Sequence, residues 1–383
     1  MTTGFVCEVK KVHGAASWFA RIAGQKFACA PLCKLELLAA WVLLWSAVLG
    51  AAQTLYVTEG GSMRVGTYSA TNGAAIQPAF VTGFNVPYGS ALDGNGHLFV
   101  ADFYNSTVSA YDAMTGKPLA GFSTISVSYP LGVAVDGNGH LFVAKQLAGT
   151  IVKYDATTGA QIGSDPFISG LIYPCGVVVD GSGHLFVANQ LGGTVGKYDA
   201  NTGSLIGSGP FISGLNQPLC LALDGGGNLF VTQYAGNSVG KYNDATGSGS
   251  GAFISNITGP YGIAVDGGGH LFVSNYGGGS VWKYDADTGS LIGSGAFISG
   301  LNMVTFLSVS AAPLVIGNIR VAQTNLLFNV SGLAIGQTYT LQSTTNFLSA
   351  SWTNETTFVV SQASTTLTNG MNGPRQKFFR IAH

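Results

Sequence analysis

The chain has 383 residues, of which 46% are hydrophobic and only 9% are charged, with a formal net charge of −1. That is apolar material for a sizeable core and length for two or three domains. Charge is unevenly divided: residues 1–52 and 311–383 carry +3 each, whereas 53–310 holds seven basic against fourteen acidic residues, and an acidic middle without a basic, aromatic-interleaved patch excludes nucleic acid as an expected partner.

The first element is the apolar run 37–49, which follows Lys34 and leads into Gly50, Ala51 and Ala52. It reads as the core of a signal peptide over 1–52 with a long leading region and cleavage near Gln53. Left uncleaved, it is the one route to a membrane that the sequence offers, although it is shorter than the ~20 residues of a comfortable span. Cys7, Cys29 and Cys33 precede it. Cys175 and Cys220 remain, at nearly equivalent points of consecutive repeats, where a disulfide of an exported protein and two buried thiols are both open readings.

From residue 53 onward Leu-(Phe/Tyr)-Val recurs at Leu55, Leu98, Leu141, Leu185, Leu229 and Leu271, 42 to 44 residues apart. Ahead of five copies stands a tight turn of the type Asp-Gly-x-Gly, beginning at Asp93, Asp136, Asp180, Asp224 and Asp266. Glycine supplies the φ > 0 such a hairpin needs, and Asp bonds its own turn amides. A second turn, Tyr-Asp-Ala-x-Thr-Gly, follows at 154–159, 198–203 and 284–289. Each unit therefore holds about four short strands and makes one blade of a β-propeller. The first copy has no innermost strand ahead of it, which would leave an unpaired edge. Moving the strand 262–266 forward by one repeat lands on Phe306–Ser310, so residues 304–310 are expected to close the first blade. The expectation is an all-β chain with a six-bladed propeller over 53–312.

The run from Pro260 to Asn275, PYGIAVDGGGHLFVSN, with SVWKYD at 280–285, resembles the NHL-repeat family of propellers over about two-thirds of the chain. The resemblance implies fold more than activity, since it extends to binding scaffolds, lyases and sugar-lactone hydrolases. Residues 313–383 change character: the repeat stops, Gly falls, and Thr, Ser and Asn rise. Short candidate strands at 319–322, 326–330, 339–343, 356–360, 365–368 and 378–381 predict a small antiparallel β-sandwich. Tyr339–Asn346, Trp352 and the closing run 378–381 resemble a C-terminal immunoglobulin- or fibronectin-like module of exported proteins from Verrucomicrobia-type bacteria. That resemblance implies a secreted or periplasmic bacterial protein.

Two sets of residues are candidates for function. His97, His140, His184 and His270 follow the Asp-Gly-x-Gly turns in register. They belong to separate blades, too far apart for bonds of about 2 Å to one ion, so they read as turn residues and no metal or other cofactor is expected. The second set follows each Leu-(Phe/Tyr)-Val strand: Glu59, Asp102, Lys145, Asn189, Gln233 and Asn275. Its surroundings are copied from blade to blade, yet the residue itself is always polar and mostly different. It lies on the face where the innermost strands begin, beside Tyr88 and Tyr261 and near Phe103, Tyr104, Tyr234 and Tyr276. Polar groups around an aromatic mouth predict a ligand pocket, against the alternative of loop variability at an exposed edge.

Similarity to gluconolactonase-like propellers would make Glu59 and Asp102 candidate carboxylates for a divalent ion. The asparagine of the Pro-Asn-Gly that this resemblance implies is here Tyr, Leu or Cys, and the repeated histidines lie at the turns opposite to the channel histidine of streptogramin-lyase-like propellers. The leading expectation is therefore an exported, non-catalytic binding or scaffold protein that engages a glycan, a peptide or a cell-envelope protein. A metal-dependent hydrolase or lyase and a purely structural spacer are the alternatives.

Overall fold

A computed structural model describes residues 53–310 in full and the strands within 315–382 as backbone. The segment 1–52 expected as a signal peptide, with Cys7, Cys29 and Cys33, lies outside the described residues. Two compact units divide the chain, one of them Ala52–Ala311. In that unit every repeat forms one small antiparallel sheet, six in all among the described residues. The second sheet is representative: Pro87–Leu92 pairs with His97–Asp102, which pairs with Thr107–Asp112. The first sheet is completed from the far end of the repeats. Val304–Val309 pairs antiparallel with Thr54–Glu59, Leu55 opposite Val309, so the expected closing strand is present. The innermost strands succeed one another around a ring, each next to the one before, and Val304–Val309 lies beside Pro87–Leu92. The fold is a β-propeller.

The core lies between sheets, because each sheet is covered on both sides and both side-chain sets of a strand are buried. In Leu-Phe-Val-Ala, Phe points to the following sheet and Leu and Val to the preceding one. Phe99 and Ala101 thus pack with Leu141 and Val143, Phe142 and Ala144 with Leu185 and Val187, and Phe186 and Ala188 with Leu229 and Val231. Phe230 meets Leu271 and Val273, Phe272 meets Leu55 and Val57, and Tyr56 meets Leu98 and Val100. Phe99, Phe142, Phe186, Phe230 and Phe272 are each 0% exposed. Burying a Phe contributes about 1.5–3 kcal/mol relative to leaving it in water, so repetition of one packing unit accounts for the regular ring.

A polar tether crosses five of the six junctions. Lys153, Lys197, Lys241 and Lys283 pass between two phenylalanine rings at 5.0–5.4 Å. Each Nζ donates to a carbonyl of the next sheet, at Ala200, Asp244, Ala286 and Ala70 respectively, 2.8–3.0 Å away. Between the first and second sheets the Tyr56 hydroxyl reaches the equivalent carbonyl of Ala113 at 2.6 Å. The register position of these lysines is held by Ala110 in the second sheet.

Three sheets have a fourth strand, at Ala75–Thr82, Ile125–Ser126 and Gly249–Ser255. In the other three, the fourth segment touches the third strand only at isolated bridges such as Ile151 with Ile168, Val195 with Ile212 and Val281 with Ile298. Gly- and Ser-rich runs at 163–166, 207–210 and 293–295, two of them ending in Pro, interrupt the ladder there.

In the C-terminal unit the six expected strands are all found, in two three-stranded antiparallel sheets. One joins Val315–Ala322, Asn325–Ser331 and Ser364–Gly370; the other joins Thr353–Val359, Thr338–Thr344 and Phe378–Ala382.

Candidate functional site

Five of the six innermost strands descend to an Asp-Gly-x-Gly turn from which the second strand returns, so the loops after the second strands share a face with the lead-ins to the innermost strands. On the opposite face the turns are closed by their own side chains. Asp93 Oδ1 accepts from the Asn95 and His97 amides at 2.9 and 2.8 Å. The Nδ1 atoms of His97, His140, His184 and His270 lie 2.7–2.8 Å from Oδ2 of the Asp four residues earlier. These histidines are turn residues, each paired within its own sheet. Eleven of the fourteen acidic residues of 53–310 lie at these turns or at the strand ends beside them, so the acidity predicted for the middle of the chain is concentrated on this face.

On the loop face the varied polar position has a shared task. Asp102 accepts the Asn85 amide on both oxygens at 2.9 Å. Gln233 Oε1 accepts the Asn216 amide at 3.0 Å, Asn189 Oδ1 the Ile172 amide at 3.3 Å, and Glu59 Oε2 the Asn302 amide at 3.1 Å. All four amides stand two residues before the first residue of an innermost strand. The residue between is left-handed and not glycine: Val86 (φ 62°), Gln217 (φ 52°), Tyr173 (φ 55°) and Met303 (φ 50°). At these four positions a conformation that costs energy for a side-chain-bearing residue is held by a side-chain oxygen reaching across from the next strand, whereas Tyr129 of the third sheet (φ 47°) adopts it without one. In the sixth sheet the left-handed residue is Gly259, which carries no such penalty, and Asn275 instead accepts the Gly278 amide at 2.8 Å. Lys145, which has no acceptor, pairs with Asp165 at 3.1 Å.

Glu59, Asp102, Asn189 and Gln233 are consequently buried in their own sheets, with further partners in Arg64, Ser62, Asn105, Thr194 and Gly251. The structure thus places four of the six polar positions against partners within their own sheets rather than around an opening.

It does bring the aromatic candidates together. Tyr88 stacks on Tyr261 at 6.1 Å and Tyr261 on Tyr276 at 5.1 Å. Tyr234 meets Tyr261 edge-on at 6.2 Å. Phe103 touches Tyr88, Tyr104 and Tyr129 at 5.1–5.3 Å. Beneath them Leu131, Cys175, Leu219, Cys220 and Phe306 fill the channel at this level. The mouth is plugged. Glycine makes this possible: a Cβ on Gly89, Gly132, Gly176 or Gly262 would collide with the carbonyl oxygen of Leu131, Cys175, Leu219 or Thr305 on the neighbouring innermost strand.

Below the plug a cavity of about 230 Å³ continues toward the acidic face, lined by residues such as Ser90, Val133, Val177, Leu221, Ile263 and Leu307. It contains none of the candidate residues. Cys175 and Cys220 are free and buried. Burial pushes the Cys175 thiol up to about 12 and raises Cys220 well above the ordinary thiol range, so both are neutral and unreactive groups of the plug. Burial, with Tyr276 and Tyr104 close by, likewise pushes Tyr88 up to about 12. Burial also raises Tyr261 and Tyr276, so these three phenols are protonated at neutral pH.

The loop face offers large apolar side chains to solvent. Tyr104, Leu191, Ile172 and Leu147 are 60, 56, 55 and 52% exposed, joined by Met63, Tyr129, Tyr173 and Tyr234. Of the charged side chains of this face, Glu59 pairs with Arg64 and Lys145 with Asp165, and Asp102 is held by the Asn85 amide and the Asn105 side chain. Leu147, Ile172 and Leu191 belong to the third and fourth sheets and were not among the sequence candidates. Their signal was the loop position two after the variable residue, which reads Tyr104, Leu147 and Leu191 in three consecutive repeats.

No protein-family model and no curated protein matches the chain. Solved structures do. A chain in the crystal structure of a nidogen/laminin complex matches with a TM-score of 0.56 at 16% identity, over 68% of this chain and 99% of that one. A protein of unknown function from Bacteroides caccae matches with a TM-score of 0.52 at 14% identity, again over 68% and 99%. At such identities the likeness establishes the propeller fold and nothing finer.

Proposed function

We propose that the chain is an exported, non-catalytic binding protein of bacterial origin, secreted or periplasmic. In this reading an NHL-like six-bladed propeller over 53–312 is followed by an immunoglobulin- or fibronectin-like β-sandwich over 313–383. The loop face of the propeller engages a glycan, a peptide or a cell-envelope protein. One observation carries the proposal: large apolar side chains, Tyr104, Tyr129, Leu147, Ile172, Tyr173, Leu191 and Tyr234 among them, stand exposed on one face where the charged groups are paired off. Aromatic-rich, charge-poor surface is the composition of binding patches. A propeller of like fold was crystallised within a two-protein complex, which fits a macromolecular partner. Glu59 and Asp102, each enclosed by donors of its own sheet, speak for architecture at those positions.

The test is a screen of immobilised protein against a glycan array and envelope extracts, run in parallel with a Tyr104→Ser/Leu147→Ser/Leu191→Ser/Tyr234→Ser variant of unchanged melting behaviour. A ligand held by the natural protein and released by the variant supports the face. Equal retention of every ligand by both overturns it.

A further inference from the structure

The loop face is chemically divided, and one half points to a ligand class. Over the third and fourth sheets its exposed residues include the aliphatic Leu147, Ile172 and Leu191 beside Tyr129 and Tyr173. Over the fifth, sixth, first and second sheets they include phenols and carboxamides beside Met63. Tyr234, Tyr276 and Tyr104 surround the plug. Asn216, Asn256, Asn302 and Asn85, all exposed, stand in the four successive lead-ins to the innermost strands.

We infer that this tyrosine–asparagine half binds an uncharged polysaccharide chain; the inference rests on the binding role just proposed and names the ligand for it. Three features favour that class. Phenol rings offer a flat apolar surface with a hydroxyl at one end, suited to a sugar ring with apolar faces and a hydroxyl-bearing rim. Tyr104 is the aromatic ring most open to solvent among the described residues, and it meets Phe103 perpendicularly, at an interplanar angle of 88°.

Carboxamides donate and accept hydrogen bonds without charge, as sugar hydroxyls do, and Tyr with Asn is a combination that protein surfaces use for adaptable polar recognition. Charge then selects within the class. Glu59 and Arg64 neutralise each other at 2.8 Å in the first sheet, and Asp102 is taken up by Asn85 and Asn105. A polyanion finds no free cation in this half, and the acidic opposite face adds a repulsive field.

The experiment titrates the full chain, by calorimetry and affinity electrophoresis, with soluble neutral polysaccharides (a β-1,3-glucan, a mannan, a xyloglucan and hydroxyethylcellulose) and with the anionic alginate and polygalacturonate. At least one neutral polymer is expected to bind. Its affinity should change little between about 0.05 M and about 0.5 M salt and fall about tenfold or more in Tyr104→Ala/Tyr234→Ala. Tyr104→Phe/Tyr234→Phe should retain part of it, and Leu147→Ser/Leu191→Ser should retain all. Binding to none of the neutral polymers, preference for the anionic ones, or loss on the leucine substitutions overturns the inference. A protein ligand released by Leu147→Ser/Leu191→Ser, with a silent polysaccharide panel, would leave the binding face standing and remove only the glycan.

Discussion

Lys153 illustrates how much a single side chain contributes to the ring. Its stem is buried, its ammonium lies 5.4 and 5.3 Å from the Phe142 and Phe167 centroids, and its Nζ donates to Ala200 O at 3.0 Å. Removing it leaves a buried carbonyl without its donor, which costs about 1–3 kcal/mol. Lys153→Met is therefore expected to lower the urea midpoint at constant m-value, and an unshifted midpoint would show the tether to be energetically idle. A charged residue facing Phe142 in a buried register was readable in the repeated Lys-Tyr-Asp. It escapes notice because a lysine in a strand reads as solvated, and only the packed neighbour supplies the carbonyl that makes the position intelligible.

The carboxylates of the second turns act at the same scale. Hydrogen bonds from Thr158, Thr202 and Thr288 hold Asp155, Asp199 and Asp285 below the ordinary carboxylate value of 3.8. Their pKa is depressed on folding, so their contribution is fully present above that value and disappears as pH falls through the folded pKa. Melting temperature should drop on acidification below about pH 4. Asn243 makes the same turn contacts without a titratable group, so Asp155→Asn, Asp199→Asn and Asp285→Asn together should flatten that part of the slope. A triple variant with the natural acid profile would contradict the assignment.

At the scale of the strand, the side-chain oxygen that closes four of the six second strands clamps the lead-in to the innermost strand of its own sheet. Asp102→Ala releases the Asn85 amide and leaves Val86 in a strained conformation, with an expected loss of about 1–3 kcal/mol. Lys145→Ala removes only a partly exposed ion pair and is expected to change stability by about 0.5 kcal/mol or less. Hydrogen exchange at residues 84–86 would accelerate in the first variant alone; equal behaviour of the two would refute the clamp. The polar pattern is legible in the sequence; the backbone contacts it makes are not. Four of the six residues, Glu59, Asp102, Asn189 and Gln233, share a side-chain oxygen acceptor. Variation in charge suggested a pocket, whereas the common acceptor marked a backbone task. The partner amide lies 17 residues earlier for Asp102 and 243 residues away for Glu59, a separation that hides it from local inspection.

For the whole molecule, the ring and its closure were legible because packing between identical neighbours needs identical sequence at a fixed period, and because Thr54–Glu59 would otherwise keep a bare edge. The plug was not. Filling the mouth depends on how closely the innermost strands approach, and Gly89, Gly132, Gly176 and Gly262 look like ordinary turn glycines until their neighbours are in place. A chain ending after Met303 should lose cooperative unfolding in calorimetry, since the strand that pairs with Thr54–Glu59 is gone; a sharp transition of unchanged enthalpy would show the closure to be dispensable. That strand is also the last part of the repeats to leave the ribosome. The first sheet waits for a partner some 250 residues downstream, so the circle cannot lock early in synthesis, and until it locks the chain remains a thread.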